Sequence, residues 1–182
     1  AAVPSGPICS GTNVTFTATP TNGGAAPVYQ WKKNGVNVGS NSVTYSSNTL
    51  VNTDKITCVL TSNVACPSGN PATSNQITIT VNPNLPVSVS IAANNNGICS
   101  GTNVTFTAVP TNGGATPVYQ WKRNGVNVGA NSATYSSTTF ANGDIITCVL
   151  TSNATCPTGN PATSNQVVMT VNPNLPVSVA IS

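Results

Sequence analysis

The sequence predicts an all-β protein built as two tandem β-sandwich domains. Three observations carry this. Apolar residues alternate with period two along every regular stretch, no stretch sustains the 3.6-residue period of a helix, and the whole pattern recurs once at a spacing of 90 residues. The recurrence is close: CSGTNVTFTA begins at Cys9 and again at Cys99, Trp31 repeats at Trp121, Cys58 at Cys148, Cys66 at Cys156, and VNPNLPVSV begins at Val81 and at Val171. The 182 residues therefore divide into module 1 (residues 1–84, first strand incomplete), module 2 (residues 85–174) and a last strand, residues 175–182, that is either donated elsewhere or opens a next module.

Within module 1, Val14, Phe16 and Ala18 alternate with Thr15 and Thr17, and Tyr29 and Trp31 with Gln30 and Lys32. Ile56, Cys58 and Leu60 alternate with Thr57 and Val59, and Ile77, Ile79 and Val81 with Thr78 and Thr80. Such runs are strands with one face in a core and the other in water, and Thr suits the outward positions. Asn22-Gly23-Gly24, Asn34-Gly35 and Ser68-Gly69-Asn70-Pro71 punctuate them, Asn-Gly being a two-residue hairpin signal. Seven or so short strands per repeat make a sandwich. Its core is expected to hold Phe16, Trp31 and Leu60 in module 1 and Phe106, Trp121 and Leu150 in module 2. Trp in phase with Tyr29 on one strand reads as core rather than as a sugar-stacking platform.

Charge excludes most chemistry. Only 4% of residues are charged, against about 25% in ordinary soluble domains. There is no Glu and no His, and the two Asp, Asp54 and Asp144, are one position seen twice. General acid–base pairs, His-dependent triads and His or di-carboxylate metal sites have no side chains to build them, so the expectation is no enzyme, no cofactor and no metal. Lys32, Lys33, Lys55, Lys122 and Arg123 are too few for a nucleic-acid footprint. No run is long enough to cross a bilayer. Abundant Asn, Thr and Ser hydrate the surface without charging it. The sequons at Asn13, Asn103 and Asn153 leave glycosylation open.

The strand carrying Trp31, followed by Asp54-Lys55-Ile56-Thr57-Cys58-Val59-Leu60 and its twin Asp144 to Leu150, resembles the immunoglobulin-like fold. That family places a core Trp on strand C and a D-x-[apolar]-x-Y-x-C run on strand F. This chain has Cys58 at the Tyr position, Leu60 at the Cys position and Phe16 where strand B would carry the partner Cys, so the usual inter-sheet disulfide is absent or moved. The repeat as a whole, with ICSGTNVTFTATPTNGG, YQWKKNGVNVG, NTDKITCVLTSN and PATSNQITITVN, resembles the tandem immunoglobulin-like or PKD-like modules of large Bacteroidota surface proteins of gliding and adhesion type. The resemblance implies an extracellular, cell-surface role and names no ligand.

Six Cys without a C-x-x-C pair imply disulfides and an oxidising compartment. With strands B and F running parallel on opposite sheets, as the resemblance implies, and Gly11-Thr12 as a hairpin turn, Cys9 faces the core beside Val14, level with Cys58. Cys9–Cys58 and Cys99–Cys148 are then the preferred pairs, with a buried thiol at Cys58 as one alternative. Cys66 and Cys156 lie at the opposite pole and face a neighbouring module. The rival scheme joins Cys9 to Cys156, and Cys99 to Cys66 of a following unit.

The boundaries complete the reading. Residues 85–92 (LPVSVSIA) follow Asn82-Pro83-Asn84 and should be strand A of module 2, whereas the period aligns Ala1 with Ile91, leaving module 1 without most of its own. Leu175, Pro176, Val177, Val179 and Ile181 repeat the same strand at 175–182. Filling the first module of another copy with this segment is β-strand addition, and a head-to-tail contact of that kind builds an open filament. A segment of a longer adhesin stalk, with adjacent modules as partners, is the alternative. A glycan- or protein-binding module comes third, for want of an exposed aromatic cluster.

Overall fold

A computed structural model describes residues 1–181. They form strands and no helix, and they divide after Asn84 into two compact units. Each unit is an immunoglobulin-like sandwich. In module 2 one sheet orders Ser88–Ala93, Val104–Thr111 and Thr134–Ser137. The other orders Val126–Val128, Val118–Arg123 and Ile145–Thr151, with Ala162–Thr163 and Val167–Val168 sharing the far edge of Ile145–Thr151. Two short parallel ladders complete the module: Ile98–Cys99 with Val171–Asn172, and Leu85–Pro86 with Pro157–Thr158.

Module 1 repeats the second sheet with Val36–Val38, Val28–Lys33, Lys55–Thr61, Ala72–Thr73 and Ile77–Thr78. Its first sheet is shorter. Only Ala2–Val3 precedes Val14–Thr17 and Thr44–Ser47, and the central strand spans four residues where its counterpart Val104–Thr111 spans eight. The cause is the missing neighbour, because Ala108 to Thr111 pair with Ile91 to Ser88. Asn34 and Gly35 both take positive φ, 53° and 83°, which is the mirror-image turn whose twist matches a hairpin. Their successors Asn124 and Gly125 do the same.

The cores are aromatic. Phe16 and Trp31 are buried, as are Phe106 and Trp121, and Tyr45 stacks over Trp31 with ring centroids 5.9 Å apart. The indole N–H of Trp31 donates to the Ser42 carbonyl at 2.9 Å, which satisfies the one polar atom of a buried ring. Leu150 is fully buried while Leu60 is only partly so.

The preferred cysteine pairing is corrected. Cys58, Cys99 and Cys148 are free thiols, as is Cys66, whereas Cys9 and Cys156 are disulfide-bonded. No hairpin places Cys9 opposite Val14. Ile8–Cys9 runs parallel to Val81–Asn82, Ile8 takes the core position, and strand alternation turns Cys9 away from Cys58. Cys58 and Cys148 stay in the core, where burial pushes the Cys58 thiol up and that of Cys148 to about 11. Both are neutral, unreactive thiols at ordinary pH.

Asp54 anchors the corner just before Lys55–Thr61. Its carboxylate accepts hydrogen bonds from the Val51 N–H at 2.9 Å and the Asn34 amide at 2.7 Å, and pairs with Lys33 at 3.3 Å. Asn34 reciprocates by accepting the Lys55 N–H. In module 2, Asp144 repeats this with Ala141, Asn124 and Arg123. There Phe140 replaces Leu50, and the longer guanidinium lies 5.4 Å from its ring centroid.

Burial alone would push both carboxyls up. Around Asp54 the Val51 N–H, Asn34 and Lys33 outweigh it, around Asp144 Arg123, the Ala141 N–H and Asn124 do, and each group is held below the usual carboxylate range. A depressed folded-state pKa gives stability that is complete above the unfolded value and lost as pH falls through the folded one. These are the only side-chain carboxylates in the protein. Thermal midpoints by circular dichroism should therefore hold steady from pH 7 down to about 5 and fall below about pH 4. The double variant Asp54→Asn/Asp144→Asn should melt lower at pH 7, by about 2 to 3 kcal/mol per site, and show little further acid loss. An undiminished acid transition in that variant would place the proton uptake elsewhere.

Candidate functional site

No group of three or more His, Cys, Asp or Glu that could hold a metal occurs among the described residues. No Phe, Tyr or Trp is among their exposed large apolar side chains. What the structure offers instead is an unfilled groove and an unpacked segment that match one another.

The filled form of the groove is seen in module 2. Residues 85–91 lie along the edge of that sandwich with Val87, Val89 and Ile91 buried in the same core as Phe106, Trp121 and Leu150. Strand alternation places the intervening Ser88 and Ser90 outward, and both are exposed. The backbone is held along its length. Leu85 N–H donates to the Cys156 carbonyl at 2.9 Å and Val87 N–H to the Thr158 carbonyl at 2.8 Å. The Asn112 amide donates to the Pro86 carbonyl at 2.7 Å, and Asn165 bonds both the N–H and the carbonyl of Ile91.

Module 1 carries the same walls around empty space. A cleft of about 360 Å³ opens between its sheets, lined among others by Phe16, Ala18, Pro20, Trp31, Leu60 and Ile77. A second hollow of about 400 Å³ is lined by residues including Asn22, Ser62, Cys66 and Pro67. Thr21, Leu60 and Ala72 line both, so the two form one path along the module's edge. The path follows the course of residues 85–91 in module 2: Cys66 and Asn22 stand where Cys156 and Asn112 bond Leu85 and Pro86, and Ala18 stands where Ala108 pairs with Ile91. Exposure registers the difference, because Ala18 is half-buried and Ser74 exposed where Ala108 and Ser164 are buried.

The register sharpens the fit. Ala2 pairs with Phe16, whereas Ala93 pairs with Phe106, so Ala1 occupies the place of Ala92 rather than of Ile91. One extra residue between Val3 and Ile8 restores the 90-residue spacing afterwards. The open edge of module 1 therefore has room for a complete counterpart of residues 85–91.

Residues 175–181 read LPVSVAI and residues 85–91 read LPVSVSI. The later segment forms no strand, and Leu175, Val177, Val179 and Ile181 are 83%, 99%, 95% and 101% exposed. Pro176 is exposed as well. Sequence reading showed that residues 175–181 repeat residues 85–91. It did not find the one-residue register shift, which the equal lengths of AAVPSGP and IAANNNG hide, nor the continuity of the two hollows.

No family model and no curated protein matches the chain. Among solved structures it is similar to the N-terminal four Ig domains of a Dscam1 isoform, with 15% identity and a TM-score of 0.39 over 91% of this chain and 43% of that one. It is similar to the Ig1–Ig3 ectodomain of mouse nectin-like molecule 4, with 15% identity and a TM-score of 0.41 over 98% of this chain and 66% of that one. A third likeness is to the fibronectin(III)-like modules of Clostridium thermocellum CbhA, with 13% identity and a TM-score of 0.37 over 91% and 89%. The chain thus spans less than half of the Dscam1 structure it matches, and these similarities assign no ligand.

Proposed function

We propose that the protein is a structural repeat of an extracellular, cell-surface filament, and that copies join head to tail when residues 175–181 of one enter the open groove of module 1 in the next. One observation carries the reading: a segment of nearly identical sequence, residues 85–91, fills the corresponding groove of module 2. In that register Ile181 lies opposite Ala18 and Val179 opposite Pro20, by analogy with Ile91 and Val89 opposite Ala108 and Pro110. Three exposed apolar side chains, Val177, Val179 and Ile181, would leave water, each worth about 1.5 to 3 kcal/mol when fully buried. The unpaired edge of module 1 would be closed as well. Donor and acceptor surfaces differ, so the contact propagates instead of closing into a dimer. The disulfide-bonded Cys9 and Cys156 support an oxidising compartment, and the scarcity of catalytic side chains supports a mechanical rather than a chemical task.

A second reading has its own support. Residues 85–91 already serve a module that follows them in one polypeptide, so residues 175–181 would serve equally as strand A of a further module in a longer adhesin stalk.

Electron microscopy of the purified chain separates the two. Filaments in the intact chain, abolished by removal of residues 175–182 and by the single substitution Val179→Asp, are the expected result. Single particles in every sample would overturn the filament and leave the stalk segment. The deletion variant provides an independent check by calorimetry. A synthetic LPVSVAI peptide in excess should raise its first melting transition by a few degrees, and a scrambled peptide should not.

A further inference from the structure

We propose that strand donation carries a covalent lock: Cys99 of the donor copy forms a disulfide with Cys66 of the acceptor copy. This rests on the filament reading and follows from where the chain places each cysteine relative to the donated strand.

The donor side is fixed within module 2. Cys99 pairs in register with Asn172, Ser100 N–H donates to the Asn172 carbonyl at 3.0 Å, and the Asn174 amide donates to the Ser100 carbonyl at 3.3 Å. Cys99 is thereby tied to the residue three positions before Leu175, where the donated segment begins. The acceptor side is read from the filled groove. There Leu85 N–H bonds the Cys156 carbonyl, and the position equivalent to Cys156 in module 1 is Cys66, with a matching backbone (φ 56° against 59°). Leu175 entering module 1 of another copy therefore puts its N–H on the Cys66 carbonyl, with Cys99 attached three residues upstream.

A second observation shows that these positions are used for disulfides. Cys9 and Cys156, the 90-residue counterparts of Cys99 and Cys66, are both disulfide-bonded. Cys9 is bound beside Asn82 as Cys99 is beside Asn172, with the same Asn84-to-Ser10 clamp at 3.3 Å. Cys66 and Cys99 are free and exposed, whereas the remaining thiols, Cys58 and Cys148, are buried. The chain thus presents one cysteine at the donor end and one at the acceptor groove.

The chemistry balances with a small disulfide such as oxidised glutathione as oxidant. The Cys99 thiolate attacks it, giving a mixed disulfide and one glutathione thiolate. The Cys66 thiolate then attacks the Cys99 sulfur, forming the protein disulfide and releasing the second. Two protein thiols are oxidised and one glutathione disulfide is reduced to two thiols.

The test uses the full chain in a glutathione redox buffer, read by non-reducing electrophoresis, peptide mass spectrometry and electron microscopy. The intact protein should give a reducible ladder containing a Cys66–Cys99 linked peptide. Cys66→Ser and Cys99→Ser should each lose the ladder while still forming filaments. Mixed in equal amounts, these two variants should give a covalent dimer and nothing larger, since each supplies one half of the bond. Removal of residues 175–182 should abolish the ladder although both thiols remain. Filaments without the linked peptide would overturn the lock and leave strand donation standing. A ladder that survives the deletion, or dimers formed by either variant alone, would show unguided oxidation and overturn it too. Loss of both filaments and ladder in the intact protein would remove the two proposals together.

Discussion

An antiparallel sandwich has to close its edges, and this requirement governs the rest of the molecule. A sheet edge presents a row of unpaired N–H and carbonyl groups, and where the edge also borders the core, apolar walls stand open beside them. In module 2 a seven-residue segment meets both needs, since alternate side chains fill the core while the backbone is bonded by strand, loop and Asn side chains. The same walls in module 1 enclose a vacant path. The shorter central strand, the greater exposure of Ala18 and Ser74, and the partial burial of Leu60 all follow from that vacancy and need no separate explanation.

With almost no charge available, polar side chains without charge take over work usually given to ions. Asn41 and Asn131 accept the N–H groups of Tyr29 and Tyr119, and Asn52 and Asn142 those of Val81 and Val171. Asn70 and Asn160 bond both backbone groups of Ser62 and Ser152. These sites lie where strands break or cross, so backbone groups that lack a ladder partner find an amide instead. The few charges that remain are concentrated on one corner per module. There Asp54 or Asp144 gathers a cation, an amide and a backbone N–H. The result is a neutral surface whose order depends little on ionic strength.

Much of this was legible in the residues, for identifiable reasons. Strand alternation reports which face is buried, so Phe16, Trp31, Phe106 and Trp121 were placed correctly from sequence, and a 90-residue repeat needs no structure to be seen. The cysteines were misplaced because their positions depend on a local choice that alternation does not decide. Ile8 and Cys9 are adjacent, one must face the core, and a parallel ladder with Val81–Asn82 rather than a hairpin with Val14 settles it in favour of Ile8. The register of Ala2–Val3 was equally hidden, because a single inserted residue before Ile8 leaves the repeat intact and shifts only the pairing.

On the proposed filament reading, the short parallel ladders would bear the load. Ile8–Cys9 beside Val81–Asn82, and Ile98–Cys99 beside Val171–Asn172, join an early strand of each module to its last one. Force applied along the chain across such a ladder loads its hydrogen bonds together in shear, whereas an antiparallel hairpin opened from one end yields them one at a time. A donated strand interrupts this continuity, for the incoming segment would be held in module 1 by burial and hydrogen bonds without a peptide bond to it. In any series the joint without a covalent path yields first. Cysteines beside Asn172 and at the entrance of the open groove would lie on either side of that joint, where the proposed disulfide would carry load around the strand.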